Sequence, residues 1–231
     1  MAHFAEFPSA QTLNQSLARK VADSLRQGIE ARGRASLVVS GGRTPEGFFA
    51  LLAQQPLAWE KVVITLADER WVAPEDALSN ERLVRRALLV GPAAAATFIG
   101  LKNGAATPEE GVAASEAALA LFPWPADVVM LGMGADGHTA SLFPGAANLP
   151  AALSLDASQL CFAMTPVTAP LARITLSLPA LLNSRHIYLH LVGEAKRELY
   201  ERAAQGNDVN EMPVRAILNQ QHTPVDVCWT V

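Results

Sequence analysis

The chain has 231 residues, half of them hydrophobic on a broad count and 17% charged, with a formal net charge of -4. That composition suits one large α/β domain over residues 1–231 with a well-buried core, and no Pro/Gly/Ser-rich or charge-rich linker divides it. No block of like charge points to nucleic acid or a membrane surface, and no stretch approaches the roughly 18 apolar residues of a membrane span.

Met1 to Ala10 lacks a basic flank followed by an apolar run, so no signal peptide is expected. Leu13, Leu17, Val21, Leu25 and Ile29 recur at helical spacing, which predicts an amphipathic helix over 10–31 closing near Gly33. Ser36 to Val39 is a short apolar run of the buried-strand type, ended by Gly41-Gly42. Thr44-Pro45-Glu46 then reads as a helix start: a hydroxyl N-cap, a proline at the first helical position and an acid in the first turn.

The alternation repeats. Lys61 to Leu66 is a predicted strand, and Ser79-Asn80-Glu81 opens a helix. Ala93 to Ala96 is expected in a loop, and Thr107-Pro108-Glu109-Glu110 starts an alanine-rich helix ending before Pro123. Asp127 to Leu131 is a strand, and further strands are expected at 160–164, 172–177, 186–192 and 225–230, with a helix at 194–204. Apolar strands alternating with helices imply a three-layer α/β sandwich: a mainly parallel, Rossmann-like sheet covered on both faces. Ligands of such sheets sit beyond the carboxyl ends of the strands.

Four segments fall at that end. In Ser40-Gly41-Gly42-Arg43-Thr44 the glycines permit close backbone approach, and the helix start offers free N–H groups. The segment reads either as a phosphate cradle, with Arg43 placed to add a charge-assisted bond, or as an unliganded tight turn. Asp68-Glu69-Arg70-Trp71 is suited to orienting a substrate or to an internal ion-pair network, with Trp71 a packing residue. Gly132 to Gly137 is a loop able to lie against a ligand, and it delivers His138 with Asp136 two residues away. An imidazole neutral near pH 7 suits proton abstraction from water. His3, His186, His190 and His222 are read as bystanders.

Finally, Arg173 enters an apolar strand, and Lys196 lies in the first turn of a helix, where it opposes the dipole unless an anion is bound or it is simply solvated. Cys161 and Cys228, far apart in apolar stretches, read as buried small hydrophobes, which together with the missing signal peptide implies a reducing, cytoplasmic setting. Gly132-Met133-Gly134 lacks the third glycine and the downstream acid of a dinucleotide fingerprint. Ser141 lacks the setting of a nucleophilic serine.

Taken in order, these segments resemble the 6-phosphogluconolactonase family: Ser40-Gly41-Gly42 with Thr44-Pro45, Asp68 to Val72 with Ser79-Asn80, Gly132 to Gly145, Arg173-Ile174-Thr175, and Gly193 with Lys196. The run Asp136 to Gly145 is the most specific of them. The resemblance implies a fold of the glucosamine-6-phosphate isomerase/deaminase type, no metal and no organic cofactor. It implies hydrolysis of 6-phospho-D-glucono-1,5-lactone in the oxidative pentose phosphate pathway. By motif, His138 is the expected base, with Asp136 beside it. Arg70, Arg173 and Lys196 are the expected substrate- or phosphate-binding cations, joined at the site by Ser40, Gly41, Gly42, Thr44 and Asp68. Arg43 departs from the small hydroxyl residue common there.

Two other readings share the pattern. A glucosamine-6-phosphate deaminase or isomerase would carry an acid after the histidine, where this chain has Leu142-Phe143-Pro144-Gly145. A non-catalytic sugar-phosphate sensor would bring a DNA-binding module. The expected partner is therefore a small phosphosugar lactone, with no nucleic acid and no membrane, and no segment specifies an oligomeric state.

Overall fold

The computed structural model describes residues 2–167 and 171–231. The chain opens with a strand, β1 (His3–Glu6), rather than with its first helix, α1 (Ala10–Arg32). Ser9 caps α1 by accepting the Thr12 N–H, and Gly33 ends it at φ 75°, the left-handed conformation glycine adopts without penalty. The helix buries Leu13, Leu17, Val21 and Leu25, the predicted stripe, against β2 (Ala35–Val39) and a short second helix, α2 (Glu46–Leu52).

α2 departs from expectation at its start. Thr44 does not cap it; the flanking residue is Pro45, with no side-chain cap, because Arg43 and Glu46 close a turn of their own (Glu46 N to Arg43 O, 3.4 Å). Next come β3 (Val62–Leu66), β4 (Asp68–Arg70) and α3 (Asn80–Ala87), capped by Ser79. The alanine tract is a 3-10 turn over Gly91–Ala95, followed by β5 (Thr97–Ile99). Thr107 caps α4 (Pro108–Leu119) as predicted.

The second half holds β6 (Val128–Leu131), α5 (Leu149–Leu153), β7 (Cys161–Met164), β8 (Arg173–Leu176) and α6 (Leu178–Leu182). It closes with β9 (Ile187–Val192), α7 (Glu194–Ala204), α8 (Arg215–Leu218) and β10 (Val225–Thr230).

Seven strands form one parallel sheet in the order β1-β10-β9-β6-β2-β3-β5, sandwiched between helices. β2 and β6, adjacent in the middle of the sheet, are buried at every position. From β2 the chain builds outward through β3 and β5; from β6 it builds the other way through β9 and β10. The β2–β6 boundary is thus the topological switch point, where diverging loops leave a crevice at the carboxyl ends.

The strands expected at 160–164 and 172–177 do not join this sheet. With β4 they form a separate antiparallel sheet, β4-β8-β7. Both cysteines are buried and unpaired. No helix among the described residues is long and apolar enough to cross a membrane.

Candidate active site

A cavity of about 250 Å³ opens at the switch point. Ser40, Gly41 and Gly42 reach it from the end of β2, and Gly132, Met133, Gly134 and His138 from the end of β6. Asp68 and Arg70 come from β4, Arg173 from β8 and Lys196 from α7, with Thr44 and Pro45 at the turn before α2. Segments more than 150 residues apart, from Ser40 to Lys196, therefore share one wall, and the imidazole of His138 shares the cavity with the diglycine turn. Arg43 is exposed and lies outside the lining.

The loop after β6 is built around the imidazole. Its Nδ1 lies 2.5 Å from Asp136 Oδ1, which also accepts the His138 backbone N–H at 3.2 Å. Burial pushes Asp136 upward, but the imidazole and that N–H outweigh it and hold the carboxyl below its ordinary value. A carboxylate accepts only, so it fixes the proton on Nδ1 and leaves Nε2 as the basic nitrogen. Gly134 makes the arrangement possible: a Cβ there would lie 2.1 Å from the ring. The loop is further tied by Gly134 N to His138 O at 2.8 Å and by Thr139 Oγ1 to Gly132 O at 2.9 Å. Phe143 closes one side, 4.2 Å from the His138 ring and 5.6 Å from the Arg173 guanidinium.

β4 sorts its residues by strand alternation. Asp68 and Arg70 point to the cavity; Glu69, between them, is fully buried away from it. There Glu69 accepts from Arg70 N, Asn80 N and Glu81 N at 2.7 Å each and from Ser79 Oγ at 3.0 Å, holding the start of α3. Burial raises its pKa, and these bonds offset only part of that rise. The Asp-Glu-Arg segment thus divides: two residues face the site and one is scaffold. Asp68 also accepts from Ser141 Oγ at 2.5 Å, which fastens the His138 loop to the second sheet and engages the serine that sequence reasoning set aside.

Arg70 and Arg173 are direct cross-strand partners in β4 and β8. Like charges set opposite are destabilising by themselves. Burial pulls the Arg173 pKa down, Asp68 pulls it up and Arg70 pulls it down again, for a net lowering. Lys196 donates to Met133 O at 2.5 Å, and burial lowers its pKa despite nearby Asp136. Among the described residues the lining therefore carries three cations against one carboxylate, Asp68, in a chain whose net charge is -4. Such a site is made for an anion. Among the described residues, no group of three or more His, Cys, Asp or Glu side chains is placed to hold a metal ion.

Two polar side chains of the lining escaped sequence reasoning as site candidates. Asn80 follows a helix cap and looks structural, yet it lines the cavity, its Nδ2 donating to Asp68 O at 2.8 Å and its Oδ1 pressed against Gly41, where a Cβ would lie 1.9 Å away. His190, read as a bystander, also lines the cavity; His3, His186 and His222 do not. The available signal was a histidine inside an otherwise apolar strand, Ile187-Tyr188-Leu189-His190-Leu191-Val192.

A family model described as Glucosamine-6-phosphate isomerases/6-phosphogluconolactonase matches residues 8–229. A 6-phosphogluconolactonase of Pseudomonas putida is 43% identical over 224 residues, 97% of this chain and 91% of that protein. One from Mesorhizobium japonicum is 42% identical over 223 residues, 96% of this chain and 93% of that protein. The crystal structure of a 6-phosphogluconolactonase from Shewanella baltica OS155 superposes with a TM-score of 0.98 at 52% identity, covering 100% of this chain and 98% of that one. By sequence and by fold alike, the chain belongs to the glucosamine-6-phosphate isomerase/6-phosphogluconolactonase family.

Proposed function

We propose that this protein is a cytoplasmic, single-domain hydrolase of 6-phospho-D-glucono-1,5-lactone, yielding 6-phospho-D-gluconate in the oxidative pentose phosphate pathway. The observation that carries the reading is an imidazole with Nδ1 held by Asp136, in a cavity shared with three cations and a diglycine turn. Relatives named 6-phosphogluconolactonase, matched over nearly the whole chain, support the substrate.

The phosphate docks against the Ser40–Thr44 turn, held by backbone N–H groups, the Thr44 hydroxyl, Lys196 and an arginine of the Arg70–Arg173 pair. A multiply charged anion there relieves the repulsion between the two guanidiniums. Anchoring the phosphate places the lactone carbonyl over His138 and converts a bimolecular encounter into a positioned one. Nε2 of His138 takes a proton from water as the water oxygen attacks C1. Arg70, or the amides of the Gly132–Gly137 loop, stabilise the oxyanion. The imidazolium, steadied by Asp136, then returns the proton to the ring oxygen as the C1–O bond breaks.

The test is acid release from freshly generated lactone, followed at constant pH against the spontaneous rate. Saturable acceleration is expected, and a rate no greater than the spontaneous one rejects the proposal. Glucosamine 6-phosphate is the control substrate; with no acid in Leu142-Phe143-Pro144-Gly145, no ammonia release is expected from it.

A further inference from the structure

The groups gathered in the cavity belong to two different sheets. His138 is carried by the loop after β6 of the parallel sheet, whereas Asp68, Arg70 and Arg173 stand on β4 and β8 of the antiparallel one. A base on a loop keeps a fixed offset from cations on another sheet only where something ties the two together. The residues that follow His138 do so. Thr139 to Leu142 form a tight turn, closed by Leu142 N donating to Thr139 O at 3.0 Å. Ala140, second in that turn, takes φ 48°, a left-handed conformation that costs a non-glycine residue free energy and persists only where its surroundings hold it.

The turn is fastened to both sheets. Thr139, fully buried, donates its hydroxyl to Gly132 O just past β6, at 2.9 Å. Ser141, also fully buried, donates twice: its backbone N–H to Thr175 Oγ1 at 3.2 Å and its hydroxyl to Asp68 Oδ2 at 2.5 Å. Asp68 and Thr175 are cross-strand partners, two residues along β4 and β8 from the Arg70–Arg173 pair. One serine thus grips both strands that carry the arginines. Its hydroxyl also fixes one oxygen of Asp68, a carboxylate only 6% exposed that needs such a donor.

We propose that Ser141 is a positioning residue for lactone hydrolysis: through Asp68 it sets the offset between the His138 imidazole and the Arg70–Arg173 pair. This inference rests on the lactone hydrolase reading. Misplacing reacting groups by about 1 Å can cost on the order of 100-fold in rate. Removing the hydroxyl leaves the Thr139 and Thr175 contacts in place, so a smaller loss is expected. It falls on kcat, because the phosphate anchors at the Ser40–Thr44 turn and Lys196 lie outside this contact.

The test measures lactone turnover per folded molecule for wild type, Ser141→Ala, Asp68→Ala and the double variant. Ser141→Ala is expected to lower kcat about tenfold with KM within about threefold. Added to Asp68→Ala, it is expected to cost less than about twofold more, because the effect runs through the carboxylate. A serine that only stabilises the fold lowers the urea midpoint and leaves kcat per folded molecule unchanged. That result overturns the proposal, as does a loss confined to KM or one repeated in full in the Asp68→Ala background. Should Ser141→Ala fail to fold, Thr175→Val decides, since valine keeps the shape and strand preference but cuts the second grip. A several-fold lower kcat is expected there, and an unchanged one overturns the proposal. A wild type that does not accelerate lactone opening removes the hydrolase reading instead. The clamp is still read from crystal structures of wild type and Ser141→Ala, in which an unmoved offset between His138 and Arg173 overturns it.

Discussion

At the amino ends of the parallel strands, charges are matched to one another. Asp127, just before β6, is 4% exposed; it accepts the Ser36 N–H at 2.9 Å, is bonded by Arg32 and lies 3.5 Å from Arg185. Asp226 of β10 is ringed by Lys20 at 3.3 Å, His3 at 3.4 Å and His186 at 3.5 Å. Around the cavity beyond the carboxyl ends the same residue types are left mismatched: two arginines of the second sheet face each other across β4 and β8, a lysine rests on a carbonyl, and among the described residues a histidine has no partner. One end of the sheet is arranged for stability of the free protein. The other, on the reading proposed above, is arranged for an anionic substrate, a division that trades some stability for binding.

Substitutions at the two ends should therefore separate cleanly, beginning with the largest effect. His138→Ala is expected to lower kcat about 100-fold with little change in the urea midpoint, as befits loss of a general base. An undiminished kcat in the folded variant would remove the imidazole from the chemistry. Asp127→Ala should do the reverse. Losing a buried acceptor with charged partners costs about 2 kcal/mol of folding stability, while kcat/KM stays within about twofold of wild type. A large loss of activity in the folded fraction would break the division between the ends.

Lys196→Met is expected to raise KM about tenfold with kcat nearly unchanged, the pattern for a group that anchors substrate and transition state equally. Because burial disfavours the ammonium in the free protein, the melting temperature should hold or rise. A clear drop would mean that the bond to Met133 O contributes more than the desolvation costs.

The fourth prediction concerns pH. The His190 pKa is lowered from 6.5 to about 4. Its contribution to stability is thus complete above pH 6.5 and is lost as pH falls toward 4, where the folded form also takes the proton. Glu69 and Asp127, with raised pKa values, act in the opposite direction, so the informative quantity is the difference between wild type and His190→Leu. That difference should shift against wild type by on the order of 3 kcal/mol across the window. A difference that is flat in pH would show that the ring is not held neutral.

The fold was readable where burial imposes a period. α1 announced itself through five apolar residues at helical spacing and a terminal glycine, β6 through an unbroken apolar run, and β2 and β9 through runs interrupted by one polar residue each. The hidden elements are those whose burial is partial or borrowed. β1 is an edge strand with exposed ends, and β5 is three residues long at the other edge. β4 is a strand made entirely of charged residues, because two face the cavity and the third caps a helix, so no apolar pattern marks it. The candidate site was legible wherever charged or glycine-rich motifs stand out, as in the Asp136–Gly137–His138 stretch, the Asp68 and Arg70 of β4 and the Arg173 of β8. The lining was illegible at His190, which among leucines has the pattern of ordinary core. Arg43 shows the converse: a cation next to the right glycines whose side chain stays in solvent.

The glycine at 134 carries a lesson for anyone altering this loop. With a Cβ there falling 2.1 Å from the imidazole and 2.7 Å from the Asp136 carboxylate, even alanine has to dislodge one member of the pair. Randomised libraries across 132–137 should thus return a near-invariant residue at a position that contributes no side chain, and its tolerance gauges how rigidly the His138 ring is aimed.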